Sequence, residues 1–234
     1  MKAKIDSLFQ RDYDYAVAHD NKCCITALEY IKTSYIDVEN TKPMVQEYLI
    51  HGLSIAWFLI ELRLPVTEEE MDLMLSASVL HILAEMYEPY DIEGTVEQIG
   101  LPKNVADFVN DIVTSNQDFD KIVGDRLLLM VKMVERSNLI EHLCDMSIEE
   151  AKHFRMDAKR FWFAACVEGK ARYQEFDTAL SGILEKMRGL IQVMDILFKR
   201  YEDEEDELYE EILLLKEENA RIRVALEKRQ KFIK

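Results

Sequence analysis

Glycine and proline are scarce in this chain, at 7 and 4 of 234 residues. A barrel, sandwich or multi-stranded sheet needs a tight turn at every reversal, and tight turns draw on those two residues. Their shortage points to an all-α fold. Positive charge is also short: 29 Lys and Arg stand against 45 Asp and Glu, a formal net charge of -16. Such a surface repels phosphate backbones and anionic lipid outside a local basic pocket, so neither nucleic acid nor a membrane surface is an expected partner. No uncharged apolar run approaches the roughly 18 residues of a membrane span. The opening MKAKIDSLFQRDYDY has no apolar signal core, and a cytoplasmic protein is expected. The four cysteines, Cys23, Cys24, Cys144 and Cys166, have neither CxxC spacing nor the density of a disulfide scaffold, and are expected to be reduced thiols. Phosphate-loop, nucleophile-elbow and HExxH patterns are missing. His142, Cys144 and His153 fit no common zinc spacing.

What the chain has in quantity is helical periodicity, within a composition that is 49% hydrophobic. One helix is expected from Arg11 to about Tyr35 and a second through MVQEYLIHGLSIAWFLIELRL. A third, in PVTEEEMDLMLSASVLHILAEMY, begins with Thr67 as N-cap and glutamates in its first turn. After the turn-rich EPYDIEGTVEQIGLPKN come VADFVNDIVTSN and the apolar GDRLLLMVKMVERSNLI. The stretch SIEEAKHFRMDAKRFWFAACVEG opens with Ser147 and Glu150 in capping-box spacing and is expected to close at Gly169. Trp57, Phe58, Phe161, Trp162 and Phe163 read as core aromatics at helical spacing.

The carboxy-terminal stretch differs in kind. Placing Ile191, Phe198, Ile212, Asn219, Leu226 and Ile233 at position a puts Met194, Tyr201, Leu208, Leu215 and Ile222 at d, failing only at Glu205 and Arg229. Asn219 at a is a device that fixes register in two-stranded coiled coils, so a homodimer is expected. The acidic YEDEEDELYEE reads most simply as a solvated face of that helix, with an acidic partner-binding tail as the alternative. The expected division is a helical domain over residues 1–176 and a long coiled-coil helix over 177–234.

His51 and His81 interrupt apolar helices, where an imidazole without a partner costs desolvation. Taken singly, each can be a satisfied core histidine. Taken in order, YLIHGLSIAWFLIEL, SASVLHILAEMY, VEQIGLPKNVADFVNDIVTS and LLLMVKMVERSNL resemble the HD-domain hydrolase module of the RelA/SpoT alarmone enzymes, over about Tyr13 to Phe163. In that family the four segments read like YixHPxxVAxIL, aaLLHDxxED, Fgxx(V)AxLVxxvTK and vIKLADRxxN.

The resemblance implies an HD-like helical bundle and a manganese site. His51 matches the first metal histidine, His81 the histidine of the HD pair and Glu135 the last metal aspartate. Ile82 stands where the HD aspartate would be. Glu85 matches the glutamate that helps orient the attacking water, and Met86 replaces its aspartate partner. Lys42, Tyr48, Lys132 and Arg136 are the candidate ligand contacts. Loss of a carboxylate removes charge that balanced the cation, so a divalent metal would be held weakly or not at all. The implied function is that of a degenerate HD protein acting as a guanine-nucleotide-binding or regulatory module. The alternative is an active manganese-dependent hydrolase removing 3'-pyrophosphate from guanosine tetra- or pentaphosphate.

Overall fold

The computed structural model describes residues 1–37, 42–87, 89–115, 118–141 and 147–199. Among them the regular structure is helical, with no strand, as the shortage of turn residues predicts. The chain divides into two compact units, Met1–Met187 and Arg188–Lys234. In the second, residues 188–199 are helical; the heptad positions from Tyr201 onward lie outside the described residues. No helix among the described residues is long and apolar enough to cross a membrane.

The first unit begins with α1 (Lys2–Ala18) and α2 (Lys22–Ile31), the latter extended by a π-helical turn over Lys32–Ile36. The single helix expected over this stretch is therefore two. The break falls at Asp20, whose φ of 54° is left-handed, and the α2 N-terminus is capped from outside its own sequence. The backbone N–H groups of Cys23 and Cys24 donate to the two Asp72 carboxylate oxygens, at 2.9 and 2.7 Å. Two orphan donors of a helix start are thus satisfied by a distant side chain, a tertiary cap that local pattern cannot announce.

Helices α3 (Pro43–Glu61) and α4 (Glu68–Met86) follow, with proline in the first turn of α3 and a full Thr67/Glu70 capping box on α4. Then come α5 (Ile92–Gln98), α6 (Lys103–Thr114), α7 (Phe119–Gly124), α8 (Arg126–Glu141) and α9 (Ile148–Asp157). A π-helical turn over Ala158–Trp162 joins α9 to α10 (Phe163–Arg172). A short 3-10 turn, Gln174–Phe176, leads into helical residues 177–187. The Ser147/Glu150 capping box forms as its spacing predicts. Gly169 does not end its helix. It is buried, and a Cβ there would run into the Leu129 side chain, so it serves as a close-packing position of α10 on α8. Of the five expected core aromatics only Trp162 is fully buried; Trp57, Phe58, Phe161 and Phe163 are half-buried.

The centre of the unit is α4. Every residue from Met74 to Leu83 is buried, and α2, α3, α6 and α8 all pack against it. A helix enclosed on all sides needs either apolar or self-satisfied residues around its whole circumference. The small Ser76, Ala77 and Ser78 let its neighbours come close. Gly52 of α3 approaches so near that a Cβ there would lie 2.8 Å from Ile82 Cγ2 and 3.1 Å from the Ser78 carbonyl oxygen. Ile82 therefore spends its side chain on the α3 contact. At the start of α4, Glu70 also takes a 2.6 Å ion pair from Arg126 at the start of α8.

The α1–α2 corner holds Asp12, 1% exposed, with neither carboxylate oxygen hydrogen-bonded. Burial pushes its pKa up to about 8 against the pull of Arg11.

Two stability measurements follow from this packing. Gly52→Ala will lower the urea midpoint, by about 1–3 kcal/mol of overpacking. Gly182→Ala, where a Cβ meets nothing within 4 Å, will raise it by up to about 1 kcal/mol. Equal effects at the two sites would refute the close α3–α4 approach. Asp12 has a raised folded-state pKa, so its contribution is intact below the unfolded value near 4 and is lost as pH rises toward about 8, at about 1.4 kcal/mol per pH unit. Asp12→Asn should accordingly gain little at pH 4 and several degrees in Tm at pH 8. Parallel melting curves across that range would show that Asp12 is not the buried acid described.

Candidate functional site

Three helices bring the titratable residues together. α3 contributes His51. α4 contributes His81 and Glu85, which lie on one face because they are four residues apart. α8 contributes Lys132, Glu135 and Arg136. One ligand atom each from His51, His81 and Glu85 lie within 4.8 Å of one another, and the two imidazole rings meet edge to face, centroids 5.6 Å apart.

His81 is the fixed point. It is completely buried, and its Nδ1 is 2.7 Å from the Ser78 carbonyl oxygen. A carbonyl only accepts, so Nδ1 carries the proton and Nε2 presents a lone pair. That Nε2 is buried with no hydrogen-bond partner, 3.9 Å from Glu85 Oε2. Burial lowers the His81 pKa, against the attraction of Glu135, which keeps the ring neutral and its lone pair available. Glu85 is shifted the other way, raised by burial and then by the Glu135 charge.

Glu135 has its charge already matched. Its Oε2 is 2.5 Å from Lys132 Nζ and its Oε1 is 3.8 Å from an Arg136 guanidinium nitrogen. Burial alone would raise its pKa, yet Lys132, Arg136 and His81 together hold it below the usual carboxylate range. Lys132, fully buried, also donates to the Ile112 carbonyl at 3.1 Å. Burial draws its pKa down against the hold of Glu135.

A cleft of about 950 Å³ opens over this group, walled by His51, Glu85, Glu135 and Arg136, with Tyr48 and Leu139 at its sides. Of the residues singled out in the sequence, His51, His81 and Glu85 converge, and Tyr48, Glu135 and Arg136 share the cleft. Lys132 lies behind Glu135, outside the lining, so its ammonium serves the ion pair and not a ligand. Lys42 is exposed at the N-cap of α3 and also lies outside the lining. The carboxylate standing with the two imidazoles is thus Glu85, where the resemblance implied Glu135. The signal for this was in the sequence: Lys132 sits three residues before Glu135, a spacing that pairs them on one helix face.

Two imidazoles and a carboxylate suit a first-row divalent cation, and the unpartnered lone pair of His81 Nε2 is one such ligand. Opposed ligands on one such ion can stand no more than about 4.2 Å apart at bond lengths near 2.1 Å. In the tetrahedral arrangement ligands stand about 3.4 Å apart, so the three ligand atoms, within 4.8 Å of one another, would have to draw closer to share an ion. Compared with protein-family models, with curated proteins and with solved structures, the chain finds no match. What this site does has to be argued from its own chemistry.

Removing Glu135 would leave the Lys132 ammonium buried without its counter-charge. Glu135→Gln should therefore cost about 3–5 kcal/mol in urea unfolding, and pairing it with Lys132→Met should recover much of the loss. Both effects are expected to be the same in manganese and in chelator. A large cost seen only with metal would instead make Glu135 a ligand.

Proposed function

We propose that this chain is an HD-type binding module, akin to the hydrolase module of the RelA/SpoT enzymes, that takes up a guanosine tetraphosphate-type nucleotide together with a divalent cation and does not hydrolyse it. The observation that carries this reading is the division of labour between two carboxylates. Glu85, which the resemblance makes the water-orienting residue, stands beside His51 and His81 as their third donor. Glu135 is held by Lys132 and Arg136. Neither is left to accept a proton from water, and hydrolysis needs such a base beside the metal.

Charge supports binding of the pair over either ligand alone. Glu85 and Glu135 are offset by Lys132 and Arg136, so a cation entering by itself brings uncompensated charge into a largely buried site. A phosphate group entering with it removes that excess, and the cation supplies the electrostatic neutralisation. Arg136, at the cleft wall, offers a fork of donors suited to phosphate oxygens. His81 is held in one tautomer by Ser78, and Tyr48 closes the side of the cleft. Ile82 fills the space beside Gly52 where an HD aspartate would bring charge. The homodimer expected from the heptads of residues 191–233 belongs to the same reading, as a regulatory protein that would present two such clefts.

One observation favours the active-hydrolase alternative: burial raises the Glu85 pKa, as a general base requires. Titration calorimetry with guanosine tetraphosphate, in manganese and in chelator, run beside a pyrophosphate-release assay, separates the two. Saturable binding is expected in manganese, weakened at least about tenfold by chelator, by Glu85→Gln and by Arg136→Ala. No pyrophosphate should appear over hours. Multiple turnovers abolished by Glu85→Gln would establish the hydrolase instead, and absence of saturable binding with metal present would end both readings.

A further inference from the structure

A second cavity lies at the opposite end of the α3–α4 pair. It has a volume of about 760 Å³, within the range of sites that enclose small organic ligands. Its wall at Met71 is ten residues from His81 along α4, about 15 Å at the α-helical rise, so it is separate from the cleft above.

The cavity carries a buried polar group without a partner. Asn21 lines it, is 2% exposed, and its Nδ2 has no hydrogen-bond acceptor. The rest of Asn21 is well anchored: its backbone N–H donates to the Ala16 carbonyl at 2.9 Å and its carbonyl accepts from Ile25 at 3.0 Å. A buried amide N–H₂ left without an acceptor is costly, so its persistence at a cavity wall calls for an occupant that accepts there.

The other walls narrow the kind of occupant. Tyr15 and His19 are stacked at 3.9 Å between centroids and present a flat aromatic pair. Trp57 borders the same space while the Arg11 guanidinium covers its ring at 4.1 Å. Leu64 and Met71 are buried and apolar. Glu61 and Glu68 stand exposed at the rim, with Arg63 between them in sequence. Aromatic walls favour a flat ring, the Asn21 amide requires an acceptor on it, and the rim carboxylates take N–H donors.

We propose that this cavity binds a nucleobase-type heterocycle, presented as the base or nucleoside, whose ring acceptor meets Asn21 Nδ2 and whose adjacent N–H groups meet Glu61 or Glu68. Nucleobases suit it because one edge carries a carbonyl or ring nitrogen next to amino or imino hydrogens. Stacking on Tyr15, His19 and Trp57 supplies the remaining affinity. The site is independent of the phosphate-binding reading of the first cleft, since the two share no lining residue.

Equilibrium dialysis of the full chain in chelator, which silences any metal-dependent uptake, provides the test, with guanosine, adenosine, cytidine and guanosine 5'-monophosphate as probes. At least one nucleoside should saturate with a dissociation constant below about 1 mM, and guanosine 5'-monophosphate should compete for the same site. Asn21→Asp replaces the donor with an acceptor at constant shape and should weaken binding at least about tenfold. Because a buried carboxylate can disturb folding, Glu61→Lys on the exposed rim is the second variant; it should also weaken binding with the melting temperature unchanged. Arg136→Ala, in the other cleft, should leave nucleoside binding as it is. No saturation by any nucleoside, or binding indifferent to both Asn21→Asp and Glu61→Lys, would overturn the proposal, as would loss of binding in Arg136→Ala.

Discussion

The enclosure of α4 is the constraint on which the rest of the first unit depends. A helix packed by α2, α3, α6 and α8 has no solvent face through its middle turns, so a polar side chain there can look for partners only within the protein, and the Ser78 hydroxyl and His81 Nε2 find none. Ser76 donates to the Leu73 carbonyl at 3.1 Å and His81 to the Ser78 carbonyl. Helix carbonyls can accept such second bonds with little disturbance to the ladder. The consequence for His81 is that one ring nitrogen is spent on structure and the other is forced to face inward as a lone pair. Its chemistry is imposed by its burial, not by exposure to substrate.

Enclosure also decides where cavities can form. The middle of α4 is filled, by Ile82 against Gly52 and by small residues that draw the neighbouring helices close. Two cavities open where α4 emerges from its neighbours. The Glu85 end opens on the first cleft and the Thr67–Met71 end on the second. Two sites thus share one rigid core: one walled by His51, Glu85, Glu135 and Arg136, the other by Asn21 and Trp57 with Glu61, Arg63 and Glu68 at its rim. Residues that join them, from Met74 to Leu83, are packed on all sides and have no room to relay a large displacement.

Much of this was legible in the sequence because it is written locally. The Thr67 and Ser147 capping boxes need only a four-residue window, and both form. His81 stood out because an imidazole inside SASVLHILAEM has to be accounted for, and the convergence of His51, His81 and Glu85 follows once α3 and α4 lie side by side. The features that escaped are those that depend on a distant partner. The α1–α2 break requires Asp72 to cap Cys23 and Cys24 from across the fold. Gly169 looks like a helix stop until Leu129 is seen beside it. Lys132 is the exception, since its partner Glu135 is only three residues away on the same helix; what the spacing alone does not announce is that the pair is buried.

The Lys132–Glu135 pair shows why residue identity alone misleads at such a site. A buried ammonium 2.5 Å from a carboxylate uses up the charge that a metal would otherwise compete for, and direct ligation by Glu135 would have to break that contact and strand Lys132 beside a cation. The imidazoles cannot supply the missing negative charge. Glu85, with its oxygen toward His81 and its carboxyl only partly enclosed, is the group whose movement costs least, because no ion pair has to be broken first. Any cation held here would therefore be drawn toward Glu85, on the cleft side of the two imidazoles. At the buried end of the site Ile82 is packed against Gly52 and offers no charge.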